Sequence, residues 1–197
     1  MPHYYSENQT SPLRIEKIKS ILRDKEFEFY TGSGVFSRKK VDKGTELLVN
    51  NCVVEDNWKV LDLGCGYGVI GVVIGKIFSS TSVLMVDFNR RALKLAKMNI
   101  ELNNLKNADV NQSNLYSNVN EKFNTIIVNP PITAGRKTCF DIIEGAKEHL
   151  EKEGILQVVA KHRKGGKVLG EKMLEVFKNM DVIARGAGYR IYTSIKK

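Results

Sequence analysis

From Trp58 onward the chain alternates between short apolar runs of strand length and amphipathic stretches of helix length. The apolar runs cover residues 59–63, 82–87, 108–112, 124–129 and 155–160, and helix-period segments fall at 69–78, 89–103, 137–150 and 167–178. Strands alternating with helices of this length imply right-handed crossovers and a parallel sheet covered on both faces. The end of the chain breaks the pattern. Residues 181–185 and 189–195 read as two strands joined by Gly186-Ala187-Gly188, and so tight a turn makes an antiparallel pair. The expected fold is therefore α/β: a doubly wound, seven-stranded, mostly parallel sheet ending in an antiparallel hairpin.

The residues before Trp58 are organised differently. Leu13, Ile15, Ile18, Ile21 and Leu22 recur at helical spacing after Ser11-Pro12, which predicts a helix. Residues 27–30 and Val35-Phe36 flank Thr31-Gly32-Ser33-Gly34 and read as a small hairpin, and Asp42 to Thr45 opens a short helix with Leu47, Leu48 and Val49. Residues 1–57 are expected to form a cap without an independent fold, and residues 58–197 the main domain. A length of 197 residues suits one domain with an appended element. The three cysteines, Cys52, Cys65 and Cys139, show neither CxxC nor Cys/His ligand spacing, so no disulfide framework and no metal site are expected. The apolar run from Val69 to Gly75 is far shorter than the ~20 residues that span a bilayer. The opening stretch MPHYYSENQTSP lacks the pattern of a signal peptide, so a cytoplasmic location is expected.

At the end of the first regular strand stands Asp62-Leu63-Gly64-Cys65-Gly66-Tyr67-Gly68. Glycines there permit a tight strand-to-helix turn and close approach of a ligand to the backbone, at the strand end where open α/β sheets bind ligands. The letters Gly66 to Gly71 also satisfy GxGxxG, which on its own is weak support for a dinucleotide. Asp62, under that loop, would repel a pyrophosphate and suits a ligand with a cationic head such as S-adenosylmethionine. Asp87 ends the second strand, where an acidic residue takes ribose hydroxyls, although a helix N-terminal charge is the alternative. Asn114, past the third strand, is placed either to meet an adenine amine or simply to make a turn.

Asn129-Pro130-Pro131-Ile132 ends the fourth strand. Two prolines stop the strand and fix a rigid turn, holding the Asn129 side chain and the Pro130 carbonyl in place. An exocyclic amine is a poor nucleophile because its lone pair is delocalised. Two acceptors that hold its N–H groups steer that lone pair toward a methyl donor, so catalysis rests on alignment and charge stabilisation.

Asp62–Gly68, Asp87 and Asn129–Ile132, in this order, resemble a class I S-adenosylmethionine-dependent methyltransferase with its Rossmann-like fold and antiparallel terminal hairpin. With Gly34–Ser37 and Val41–Leu48, the chain resembles the methyltransferase small domain family, which includes ribosomal RNA guanine-N2 methyltransferases. Small archaeal members that also begin with His-Tyr-Tyr-Ser, here His3–Ser6, look most similar. The resemblance implies cofactor contacts by Asp62, Gly64, Cys65, Gly66, Gly68, Asp87, Asn114 and Asn129. It implies reaction-site roles for Asn129, Pro130, Pro131 and Ile132, the last against the target ring. The family usually has an acid where Asn114 stands and often an aromatic residue where Ile132 stands. The bacterial relatives carry a second, substrate-guiding domain, for which 197 residues are expected to leave no room.

The substrate this implies is guanine N2 in ribosomal RNA, either naked or in a ribosomal subunit, bound by a monomer or homodimer. Alternatives are protein-glutamine or adenine-N6 methylation, or a non-catalytic nucleoside- or RNA-binding module. A formal charge of +9, from 31 Lys and Arg against 22 Asp and Glu, is compatible with a polyanionic partner. Arg136 and Lys137 beside the Asn-Pro-Pro turn, and Lys161, Arg163 and Lys164 after the fifth strand, are candidate RNA contacts. Tyr4, Tyr5, Phe27, Phe29, Tyr30 and Phe36 form either a stacking platform or, more simply, the packing of the cap.

Overall fold

The computed structural model describes Glu7 and residues 12–197. His3–Ser6, with Tyr4 and Tyr5, lie outside the described residues. In chain order the strands are β1 (Ile15–Leu22), β2 (Lys25–Gly32), β3 (Lys59–Leu63), β4 (Ser82–Asp87), β5 (Ala108–Gln112), β6 (Phe123–Val128), β7 (Leu150–Lys161), β8 (Asp181–Gly186) and β9 (Tyr189–Ile195). The helices are α1 (Lys43–Asn51), α2 (Val69–Ile77), α3 (Arg90–Leu102), α4 (Arg136–His149) and α5 (Lys167–Phe177).

The main sheet has seven strands in the order β5-β4-β3-β6-β7-β9-β8. β5, β4, β3, β6 and β7 run parallel, and β9 is antiparallel to β7 and, as expected, to β8. Strand order reverses between β3, whose successor β4 lies on one side, and β6, which lies on the other. Such a switch point opens a crevice at the carboxyl ends of the two strands. β3 ends in the glycine loop and β6 in Asn129-Pro130-Pro131, so the two motifs share that crevice. Val60, Leu61, Ile126 and Ile127 are fully buried, as a sheet covered on both faces requires. One core cluster lies under α1, α2 and α3, and a second lies under α4 and α5.

Two expectations for the cap are corrected. Residues 15–22 form a strand, not a helix, paired antiparallel with β2. Arg23 and Asp24, with φ of 48° and 60°, make the two-residue turn. The apolar residues that match helical spacing divide between the two faces of this strand. Ile18 and Leu22 turn inward with Phe27 and Phe29, while Ile15 and Ile21 turn outward beside Lys17 and Lys19, which pair with Glu28 and Glu26. Thr31 to Gly34 is consequently not the tip of a hairpin. β2 ends at Gly32, and Val35-Phe36 runs on as irregular backbone into the wall of the crevice.

Phe27 and Phe29 are buried against the sheet's own core, with Phe29 edge-on to Tyr67. They pack the cap rather than offer a stacking platform. The short helix opens where expected, with Asp42 as its N-cap: its Oδ2 accepts from Gly44 N at 2.8 Å and Thr45 N at 3.3 Å. Lys161 to Lys167 is not an open loop. β7 runs through a kinked turn, His162–Gly166, directly into α5, with Gly165 at φ 99°.

Candidate active site

The crevice at the switch point is a cavity of about 340 Å³. Its floor is the glycine loop. Gly64 and Gly66 have φ of 74° and 57°, and the side where a Cβ would project is open at both. The backbone is thereby bared to a ligand, as a positive φ reserved for glycine allows. Gly68, at φ 89°, does not line the cavity. It forms the N-cap of α2, where a Cβ would meet Ala96 and Met85 at 3.2 Å.

Asp87 closes one end. Its Oδ2 accepts from Gly66 N and its Oδ1 from Asn89 N, both at 2.8 Å. Burial pushes its carboxyl above the ordinary range, and these backbone donors oppose the shift. A carboxylate with amide partners and, among the described residues, no cation is well suited to take hydroxyl donors from a ribose. Phe88, Ser113, Asn114 and Leu115 continue the wall beyond β4 and β5.

Asn129, Pro130 and Pro131 close the other end. Asn129 Nδ2 donates to Thr45 Oγ1 at 2.9 Å and, more weakly, to Asp42 Oδ2 at 3.4 Å. Spending both amide donors on α1 leaves Oδ1, a pure acceptor, for another partner. Pro131 sits at φ −75°, ψ 81°, an inverse γ-turn in which the Pro130 carbonyl accepts from Ile132 N at 2.9 Å. The second lone pair of that oxygen remains.

Several sequence-derived residues lie elsewhere. Asp62 does not reach the cavity. Its side chain is fully buried beneath the loop, with Oδ2 accepting from Gly71 N of α2 at 2.9 Å. Ile132 lines a smaller neighbouring cavity of about 240 Å³, together with Arg136 and Lys164. Lys137 points away and pairs with Asp141 at 3.1 Å. Lys161 lies over the Tyr189 ring, with Nζ 5.2 Å from its centroid. Asp42 and Thr45, read from sequence only as a helix start, prove to be part of the site, and so do Val35 and Phe36. The signal for Asp42 was present, but the same Oδ2 that caps α1 meets the Asn129 amide only once α1 has docked.

The charge of the cavity decides the ligand. Asp42 and Asp87 line it, and none of the described residues that do so is Lys, Arg or His, in a chain of net charge +9. A pyrophosphate meets two carboxylates here and no cationic side chain among the described residues, whereas the ammonium and sulfonium of S-adenosylmethionine are attracted. In a doubly wound sheet, that charge fits the site of an S-adenosylmethionine-dependent methyltransferase. Comparison with known proteins narrows the class further. The chain belongs to the methyltransferase small domain family, whose family model matches residues 26–193, and S-adenosylmethionine is its cofactor.

The chain is 38% identical over 197 residues to the Bacillus subtilis protein YbxB, with 98% of each covered. It is 37% identical over 163 residues to ribosomal RNA small subunit methyltransferase C of Colwellia psychrerythraea, covering 81% of this chain and 44% of that one. The fold matches that of T. thermophilus RsmC, a 16S rRNA N2 methyltransferase in complex with AdoMet and guanosine. That match has a TM-score of 0.81 and 22% identity, over 96% of this chain and 52% of the other. The chain thus spans about half the length of the curated ribosomal RNA methyltransferases it matches. The expected likeness to small archaeal members is not supported, since these sequence relatives are bacterial.

Proposed function

We propose that the protein transfers the methyl group of S-adenosylmethionine to the exocyclic N2 of a guanine in ribosomal RNA, in the cytoplasm. The observation that carries this reading is the Asn129 amide. Its donors are taken by Thr45 and Asp42, so it presents an acceptor to the crevice, and an acceptor selects an N–H donor. The relatives named as ribosomal RNA methyltransferases, and the neighbour solved with guanosine, support guanine as the base that supplies it.

The roles follow from position. Asp87 takes the ribose hydroxyls, Asn114 meets the adenine amine, and Gly64, Cys65 and Gly66 lie along the methionine part. The target amine donates one N–H to Asn129 Oδ1 and the other to the Pro130 carbonyl. This turns its lone pair toward the methyl carbon and stabilises the positive charge that develops on nitrogen as the carbon–sulfur bond breaks. The extra proton then leaves to water, so no strong base is needed. Asp62 acts from below by holding the start of α2, and residues 1–57 serve as a cap that supplies Asp42 and Thr45.

The test is transfer of labelled methyl into ribosomal subunits that lack the modification, followed by nucleoside analysis. Label is expected in N2-methylguanosine, and Asn129→Ala is expected to lower turnover on the order of 10²-fold with cofactor affinity nearly unchanged. Label in protein glutamine or in N6-methyladenosine would overturn the guanine assignment.

A further inference from the structure

Arg185 on β8 and Arg190 on β9 stand directly opposite one another in the C-terminal hairpin. Like charges across a strand pair destabilise it. Among the described residues neither arginine has a carboxylate within ion-pair distance. The pair shares a sheet face with Tyr192, because Arg190 and Tyr192 oppose Ala160 and Val158, alternate residues of β7. His162, just past β7, shares a hydrogen bond with the Tyr192 hydroxyl at 2.9 Å and so stands beside them. Loss of solvation and then Arg190, Lys167, Arg163 and Arg185 hold its imidazole below the usual pKa, which shows how many cations converge there.

The arrangement is anchored, because the His162 N–H donates to the Gly188 carbonyl at 3.0 Å and ties the hairpin tip to the turn before α5. Tip and turn both lie at the carboxyl end of the parallel strands, where the Asn129 turn also sits. The cations then continue toward the reaction site. Lys164 and Arg136 line the smaller cavity together with Ile132, and Ile132 follows directly on the Asn-Pro-Pro turn.

We propose that Arg185 and Arg190, with Arg163 and Lys164, form a phosphate track that holds the RNA strand flanking the target nucleotide. This rests on the RNA reading above and adds the surface that grips the substrate. Phosphates between the two arginines offset the repulsion that the hairpin otherwise carries, and the release of counterions drives the association. Phosphate contacts of this kind position a strand without reading its sequence. The track leaves base selection to Asn129.

The test is binding of a labelled single-stranded, guanosine-containing RNA to the whole protein with S-adenosylhomocysteine, measured from 50 to 200 mM salt. Arg185→Gln/Arg190→Gln is expected to weaken binding at least 10-fold at the low end of that range. It should also flatten the log–log salt slope by about 1.4, for two phosphates on a single strand. S-adenosylhomocysteine affinity should not change. Lys94→Gln/Lys97→Gln, which removes the same net charge from the exposed face of α3, should leave the slope within error of the wild type. A hairpin variant with wild-type affinity and slope, or one no weaker than the α3 variant, would overturn the track. A wild-type protein that binds no RNA at any of these salt concentrations would take down the RNA reading, and the track with it.

Discussion

Asp62 shows how far a single residue can be placed from sequence. Its position under the glycine loop is legible, but the direction of its side chain is not. Leu61 and Leu63 face one core and Asp62 the other, where Gly71 meets it. It is fully buried, and among the described residues its Oδ1 has no hydrogen-bond partner. Burial pushes the carboxyl up to about 7, the Gly71 N–H opposes this, and the Asp87 charge adds to it. In the unfolded chain the group titrates near ~3.9. An acid that binds its proton more tightly when folded contributes stability in full below the unfolded value and loses it as pH rises through the folded one. Asp62→Asn should therefore gain on the wild type between pH 4.5 and 8, by on the order of 1–4 kcal/mol in the difference of their unfolding free energies. A difference that stays flat with pH would mean that Asp62 is ionised throughout.

At the scale of the element, the β1–β2 hairpin is where the sequence misled. Isoleucines spaced three apart fit either a helix or, split over two faces, a strand, and the choice falls to β2 and to what β2 packs on. That partner is α3. Asn99 is fully buried there and behaves as a rung of the sheet: its Oδ1 accepts from Tyr30 N at 2.6 Å, and its Nδ2 donates to Tyr30 O at 2.8 Å. The same Nδ2 reaches Tyr67 O in the glycine loop at 2.8 Å. One amide thus fastens the cap to the floor of the cofactor cavity. Asn99→Leu leaves three backbone groups, two part-buried and one buried, without this partner and should cost about 2 kcal/mol in denaturant unfolding. S-adenosylhomocysteine binding, followed by calorimetry, should weaken with it. Unchanged stability would show that water replaces the rung.

The whole molecule sorts its charge. Carboxylates from α1 and β4 line the cavity, while the excess of Lys and Arg stays outside it, so a chain of net charge +9 keeps an acidic interior for its cofactor. The cavity walls come from the cap, from β3 and β4 and from β6, so a ligand there binds only the assembled fold. S-adenosylhomocysteine at 100 times its Kd should add about 2.7 kcal/mol. For a chain of this size that raises Tm by roughly 5–10 °C. NADH should leave Tm where it is, since Asp42 and Asp87 oppose its pyrophosphate. Asp87→Ala should remove most of the rise. A shift with NADH and none with S-adenosylhomocysteine would contradict the account of the cavity given by its charge. Among the described residues no helix is long and apolar enough to cross a membrane.

By itself the sequence determined the doubly wound sheet and its terminal hairpin, because the strand and helix periods and the length of each connection are local properties that leave one economical topology. It also determined that Gly64–Gly66 and Asn129–Pro131 stand at strand ends on one side of the sheet. Only the tertiary structure decided what those motifs do. Thr45 turns the Asn129 amide, Asp42 joins Asp87 in the wall, Asp62 turns away from the ligand, and Arg185 comes to face Arg190. Each of these depends on where a side chain points once distant elements have docked, and that is fixed by packing between residues far apart in the chain, which no local pattern encodes.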